Sequence, residues 1–171
     1  MYQTRLKPID YQSIIQHSSE PWEDDSFPAE LSVLLDPTMS RRDGHKKWET
    51  FVWKRPKDVY GEGQFSLFDD KIDPNDINQG YCNNCWFLAS VASVAEFPAR
   101  IKRIFLTETV NDAGCYAVEL YLMGEKRTVV VDDRLPYCTQ REDWAFSRPS
   151  STKEIWVMIL EKAWAKVFGS Y

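Results

Sequence analysis

The run Phe87-Leu88-Ala89-Ser90-Val91-Ala92-Ser93-Val94-Ala95 is apolar or small at every position. With Cys85 and Trp86 before it and Phe97 after it, it predicts a helix apolar on nearly every face, and therefore a central one. Pro98 ends or kinks that helix, and Ala99 to Leu106 offers a second helical stretch. Further on the period changes. Tyr116, Val118, Leu120 and Leu122 alternate with Ala117, Glu119, Tyr121 and Met123, Gly124-Glu125 turns the chain, and Arg127 to Val131 follows, which predicts a β-hairpin closed by Asp132 to Pro136. The last pattern is helical again. Ile155, Trp156, Ile159, Leu160, Ala163, Trp164 and Val167 share one face, Ser151 with Glu154 reads as a capping box, and Gly169 fits the C-terminal cap.

Elsewhere the pattern is weaker. Residues 1 to about 47 carry four spaced prolines among charged residues and one short apolar segment, Leu31 to Leu35, so they are expected to be loosely structured. From Trp48 to Asn78 aromatics alternate with glycine and proline, which predicts ordered loop wrapped over a core. A chain of 171 residues with 43% hydrophobic content suits one domain with a real core. The net charge of −5 gives no basic footprint for nucleic acid. No apolar run approaches the ~20 residues a membrane span needs, and no secretory signal is evident. The four cysteines, Cys82, Cys85, Cys115 and Cys138, are expected as reduced thiols of a cytoplasmic protein.

The chemistry is carried by Gln79-Gly80-Tyr81-Cys82-Asn83-Asn84-Cys85-Trp86. A cysteine opening a helix meets free N–H groups and the positive end of the helix dipole, both of which favour thiolate. A carboxamide one loop upstream, Gln79, can donate to an oxygen that becomes negative when a thiolate attacks a carbonyl. The spacing Cys82-x-x-Cys85 also raises zinc and dithiol readings. Structural zinc needs two more closely spaced ligands, which Cys115 and Cys138 do not supply, and a thioredoxin motif needs βαβ surroundings. A small buried residue is the ordinary alternative for Cys85, and a cysteine-based acyltransferase is a remote one.

The segment Gln79-Gly80 through Cys85-Trp86-Phe87-Leu88-Ala89-Ser90 resembles the nucleophile segment of calpains, calcium-dependent cysteine proteases related to papain. Asp25-Ser26-Phe27-Pro28-Ala29, Trp53-Lys54-Arg55-Pro56, Asp76-Ile77-Asn78-Gln79-Gly80, Val130 to Pro136, and Glu154-x-Trp156 through Leu160-Glu161-Lys162-Ala163 to Tyr171 follow in the same order. The resemblance implies an α+β, papain-like fold represented by its first, mainly helical subdomain, with a central buried helix, a small β-hairpin and a long C-terminal helix. Residues 1–21 are then an N-terminal extension and 22–171 the subdomain. It implies Cys85 as nucleophile, Gln79 in the oxyanion hole and Trp86 beside the substrate cleft. It also implies a Ca2+ site made by the Asp76 and Glu154 carboxylates with the backbone carbonyls of Asp69 and Lys71. The partners are protein substrates and a second subdomain that carries the histidine and asparagine.

Two departures matter. Calpains usually read Gly-Asp before the cysteine, where this chain has Asn83-Asn84. The only histidines, His17 and His45, precede Cys85, and neither sits where papain-type chemistry puts its base. The expectation is the Cys-bearing half of a calcium-dependent cysteine endopeptidase, part of a longer protease and inactive alone. The alternative is a non-catalytic, calpain-like interaction module.

Overall fold

The computed structural model describes residues 6–35, 43–69, 71–82, 84–149 and 152–171, with backbone alone for 43–46 and 76. In chain order the helices are α1 (Tyr11–His17), α2 (Leu31–Leu34), α3 (Pro56–Tyr60), α4 (Cys85–Ala95), α5 (Pro98–Ile104) and α6 (Trp156–Phe168). The strands are β1 (Val52–Lys54), β2 (Cys115–Leu122), β3 (Glu125–Asp132), β4 (Leu135–Cys138) and β5 (Asp143–Trp144). The fold is a mixed, α+β one. No described helix is long and apolar enough to cross a membrane.

The hairpin forms where the alternation predicts it, with Cys115 opposite Asp132 and Leu122 opposite Glu125. Its two-residue turn is Met123-Gly124, at φ 53° and 83°, one residue earlier than expected. Both residues take positive φ, the turn whose twist matches paired strands. The base of the hairpin is buried on both faces. Tyr116, Val118, Val129 and Val131 join the main core with α4 and α6, while Cys115, Ala117 and Val130 are covered by Ile9, Tyr11, Ile14 and Ile15 around α1. The N-terminal segment expected to be loose is thus helical at α1, capped by the Asp10 carboxylate on the Ser13 N–H at 3.0 Å.

The stretch from Trp48 to Asn78, expected as loop throughout, contains β1, α3 and two 3-10 turns, Asp43–Thr50 (reaching back before Trp48) and Pro74–Asp76. The strand β1 pairs antiparallel with β4, Val52 facing Tyr137 and Lys54 facing Leu135, and β4 pairs with β5. Three residues are too few to show a period, so the partner strand makes β1 what it is.

The two main helices exchange the roles expected of them. On α4, Phe87, Leu88, Val91 and Ala95 are buried, but Trp86, Ala89, Ser90 and Ser93 face solvent. On α6, apart from the half-buried Trp164 and the exposed Phe168, every residue is buried, Glu161, Lys162 and Lys166 included. Burying an ammonium costs several kcal/mol unless it is paired and hydrogen-bonded. Lys162 meets Asp132 and the Arg134 carbonyl (2.6 Å), and Lys166 meets Asp24 and the Val130 carbonyl, both at 2.6 Å. Burial opposes the charge of Asp132, yet the Lys162 ammonium, the Asp24 N–H and Arg134 together hold its carboxyl below the usual range.

The capping box also fails. Glu154 forms a parallel bridge with Ser66 (Ser66 N–H to Lys153 carbonyl 3.2 Å, Ile155 N–H to Ser66 carbonyl 3.0 Å) and Ile155 is the N-cap residue, so α6 starts at Trp156 and Glu154 precedes it. Ser151 lies outside the described residues. Gly169 does end α6, at φ 96°, its N–H on the Ala165 carbonyl at 2.7 Å.

Candidate active site

Cys85 is the first residue of α4, exposed and with a free thiol. The loop before it lies flat on residues 145–148. Asn78 and Arg148 exchange two backbone hydrogen bonds of 3.0 Å, and the Tyr81 N–H reaches the Ala145 carbonyl at 2.8 Å. Gly80 is held so closely that a β-carbon would stand 2.2 Å from the Phe146 oxygen and 2.3 Å from that of Ala145. Only glycine fits there. Gln79 is exposed and folds back over the loop, its amide nitrogen donating to the Cys82 carbonyl at 2.7 Å. A carboxamide has two N–H donors, so the second stays available to another acceptor.

Asn84 is the N-cap residue of α4, yet its side chain does not cap the helix. Its backbone carbonyl takes the Phe87 and Leu88 N–H groups at 2.9 and 3.0 Å, while its amide donates to the Glu161 carboxylate at 2.6 Å. The other Glu161 oxygen accepts the Ser147 N–H at 3.0 Å and the Ser147 hydroxyl at 2.6 Å. Burial pushes the Glu161 carboxyl up, against those three hydrogen bonds. Cys82, the nearby second thiol, is buried and pushed up to about 12, by its burial first and the Glu161 charge second. The two thiols therefore differ in kind: one accessible at a helix start, one held neutral in the core.

Next to the thiol, Trp86 is 59% exposed. Its ring meets Trp164 edge-on at 6.0 Å, Trp164 stacks on Phe87 at 5.3 Å, and Phe168 lies 5.0 Å further along. This aromatic rail joins the start of α4 to the end of α6 at the surface. Trp164, expected in the core, is half-buried within it.

The other sequence-derived positions fall elsewhere. Glu154 is fully buried; one carboxylate oxygen accepts the Asp69 N–H at 3.2 Å and the other the Thr152 hydroxyl at 3.1 Å. Glu154 and the Asp69 loop are therefore brought together, 85 residues apart in sequence. Lys71 is exposed and paired with Asp73 at 3.3 Å. The side chains of Asp76 and His45 and all of Asn83 lie outside the described residues. His17 is exposed on α1, its ring nitrogen 3.0 Å from the Ser13 carbonyl oxygen. Among the described residues no group of three or more His, Cys, Asp or Glu side chains is arranged to hold a metal. A cleft of about 300 Å³ lined by Arg55, Lys57, Glu62, Asp112 and Asp133 includes none of the residues around Cys85.

The profile of the calpain family cysteine proteases matches residues 22–171. The chain belongs to the calpain family. It is 35% identical over 165 residues to the calpain-type cysteine protease ADL1 of Oryza sativa subsp. japonica, covering 94% of this chain and 7% of that protein. It is 35% identical over 157 residues to the human calpain-2 catalytic subunit, covering 88% of this chain and 21% of the subunit. With rat calpain-13 it shares 33% over 152 residues, 22% of that protein's length. As a calpain, the chain thus spans less than a quarter of the length of each of these relatives. Glu161 and Ser147 were not singled out by the sequence; a lone acidic residue inside an apolar helix pattern was the one available signal.

Proposed function

We propose that this chain is the nucleophile-bearing half of the catalytic core of a calpain-type cysteine endopeptidase, with a papain-like arrangement completed by a second subdomain. Residues 22–171 form this half and residues 1–21 an N-terminal extension. The observation that carries the reading is the exposed Cys85 thiol at the uncapped start of α4. There the first-turn N–H groups carry no side-chain cap, which leaves them open to a substrate oxygen that becomes negative.

In the reaction, the Cys85 sulfur adds to the carbonyl carbon of a peptide bond. The oxygen that becomes negative is stabilised by the Cys85 N–H and by the free N–H of the Gln79 amide. Trp86 forms the floor of the cleft beside the reacting bond. A base must take the thiol proton and return one to the leaving amine, and neither His17 nor His45 fills that role. The chain alone therefore hydrolyses no peptide bond, and its partners are the second subdomain and protein substrates in a reducing, cytoplasmic setting.

Ca2+ fits the oxygen donors near Glu154. A hard cation takes carboxylate and carbonyl oxygens, and the buried Glu154 carboxylate already lies against the Asp69 loop. Glu154 and Asp76 would hold the ion by their carboxylates, Asp69 and Lys71 by their carbonyls. Bound there, the ion supplies a fixed positive charge that ties the segment leading to Gln79 onto the residues before α6.

The reading is tested by alkylating the folded chain with iodoacetamide near neutral pH and following the Cys85 peptide by mass spectrometry. Cys85 is expected to react about threefold faster than in the urea-unfolded chain, the size of a helix-terminus effect. Equal rates, or labelling of Cys82 first, would remove the nucleophile assignment.

A further inference from the structure

Three features outside the proposed chemistry stand out: the cleft beside Arg55 and Asp133, the aromatic rail, and the buried carboxylate of Glu161. The last is joined by hydrogen bonds to both flanks of the cysteine loop. We infer that Glu161 is a positioning residue for Cys85, acting through Asn84 on one side and Ser147 on the other. The inference rests on the proposed role of Cys85.

An asparagine at a helix N-cap ordinarily turns its oxygen onto the N–H groups of the first turn. Asn84 does not, because its amide is drawn 2.6 Å from Glu161. Its own oxygen is left buried, with no hydrogen-bond partner among the described residues, a cost that the Glu161 contact must outweigh. The consequence is local: the first-turn N–H groups next to the sulfur carry no side-chain cap. On the other side, Glu161 grips the N–H and hydroxyl of Ser147. Ser147 lies in the strip 145–148 on which Asn78, Gly80 and Tyr81 rest. Both Gln79 and Cys85 are thereby referenced to one carboxylate on α6, the most buried helix of the fold.

The residue types match this role. The group facing the Glu161 oxygen must donate, and Asn84 donates without bringing charge. Around Glu161 the titratable neighbours are Cys82 from the loop and Tyr171 from the chain end. Asn84 and Ser147 are neutral, and among the described residues no lysine or arginine pairs with it. The aspartate that calpains usually carry at position 84 would keep the link by sharing one proton with Glu161, since the two could not both be ionised at hydrogen-bonding distance.

The test is a double-mutant cycle on the full chain, read at Cys85 by alkylation between about pH 6 and about pH 9. Asn84→Ala alone, which removes the donor to Glu161, is expected to slow the reaction about tenfold across that pH range. In the Glu161→Ala background, where that acceptor is already gone, the same change should cost less than about threefold. Equal effects in both backgrounds would overturn the inference. As a second readout, Glu161→Ala should speed amide exchange in residues 79–87 by about tenfold while leaving the hairpin 115–132 unchanged. A uniform rise across the chain, or no rise at 79–87, would also overturn it. Failure of the proposed role of Cys85 is seen separately, in the unmutated chain alone.

Discussion

At the scale of single residues, the positions around the cysteine are set by how little room or freedom they have. Gly80 has no space for a β-carbon against the 145–146 carbonyls, and Asn84 has its amide committed to Glu161. Met123 shows the opposite situation. It holds φ 53° in a tight turn, is 91% exposed, and gains nothing from its side chain there. Asparagine tolerates that backbone region far better and is favoured before glycine in such turns. Met123→Asn should therefore stabilise the chain by about 0.5–1 kcal/mol, read as a higher urea midpoint with an unchanged slope. A fall in the midpoint would show that the turn is held by contacts other than its own backbone preference.

At the scale of elements, α6 is the post on which the molecule is assembled. Lys162, fully buried, ties it to the end of β3 through Asp132, and Lys166 ties it to the N-terminal segment through Asp24. Removing one partner of a buried pair leaves a charge without compensation, which costs far more than the pair contributes. Lys162→Met is accordingly expected to destabilise the chain by about 3–5 kcal/mol, measured by chemical denaturation. A loss below about 1 kcal/mol would mean that Arg134 and the Asp24 N–H suffice to hold Asp132. The helix α4 is built otherwise. Its hydroxyls satisfy themselves, Ser90 on the Trp86 carbonyl at 2.8 Å and Ser93 on the Ala89 carbonyl at 3.0 Å, so its small-residue face can stand in water.

At the scale of the whole molecule, two layers of core meet on the hairpin, one with α4 and α6 and one with α1. Cys115 lies in the second of these layers and Cys82 in a separate cluster with Trp48, Phe51 and Phe146, each thiol pushed by burial from an ordinary 9.0 up to about 12. The folded chain keeps their protons where the unfolded chain loses them. Stability due to these thiols is therefore fully present below about pH 9 and is lost as pH rises toward about pH 12. Urea denaturation at mildly and strongly alkaline pH should show this loss, and Cys115→Ala should flatten it. An unchanged slope in that variant would place the alkaline sensitivity elsewhere.

Much was legible in the residues themselves. The hairpin could be read because a period of two and a glycine turn are local properties, and the start of α4 and the glycine end of α6 for the same reason. The ordered segments from Asp25 to Tyr171 identified the calpain family, since order along a chain is itself sequence information. Which helix lies at the centre was not legible. An apolar run states only that burial is favourable, and α4 remained half in water, while the charges of α6 became buried because Asp24, Asp132 and two carbonyls from distant segments met them. The same reason hid Glu161. A carboxylate gains its meaning from the donors around it, and Asn84 and Ser147 reach it only when the loop before α4 and the strip after β5 have packed onto one helix.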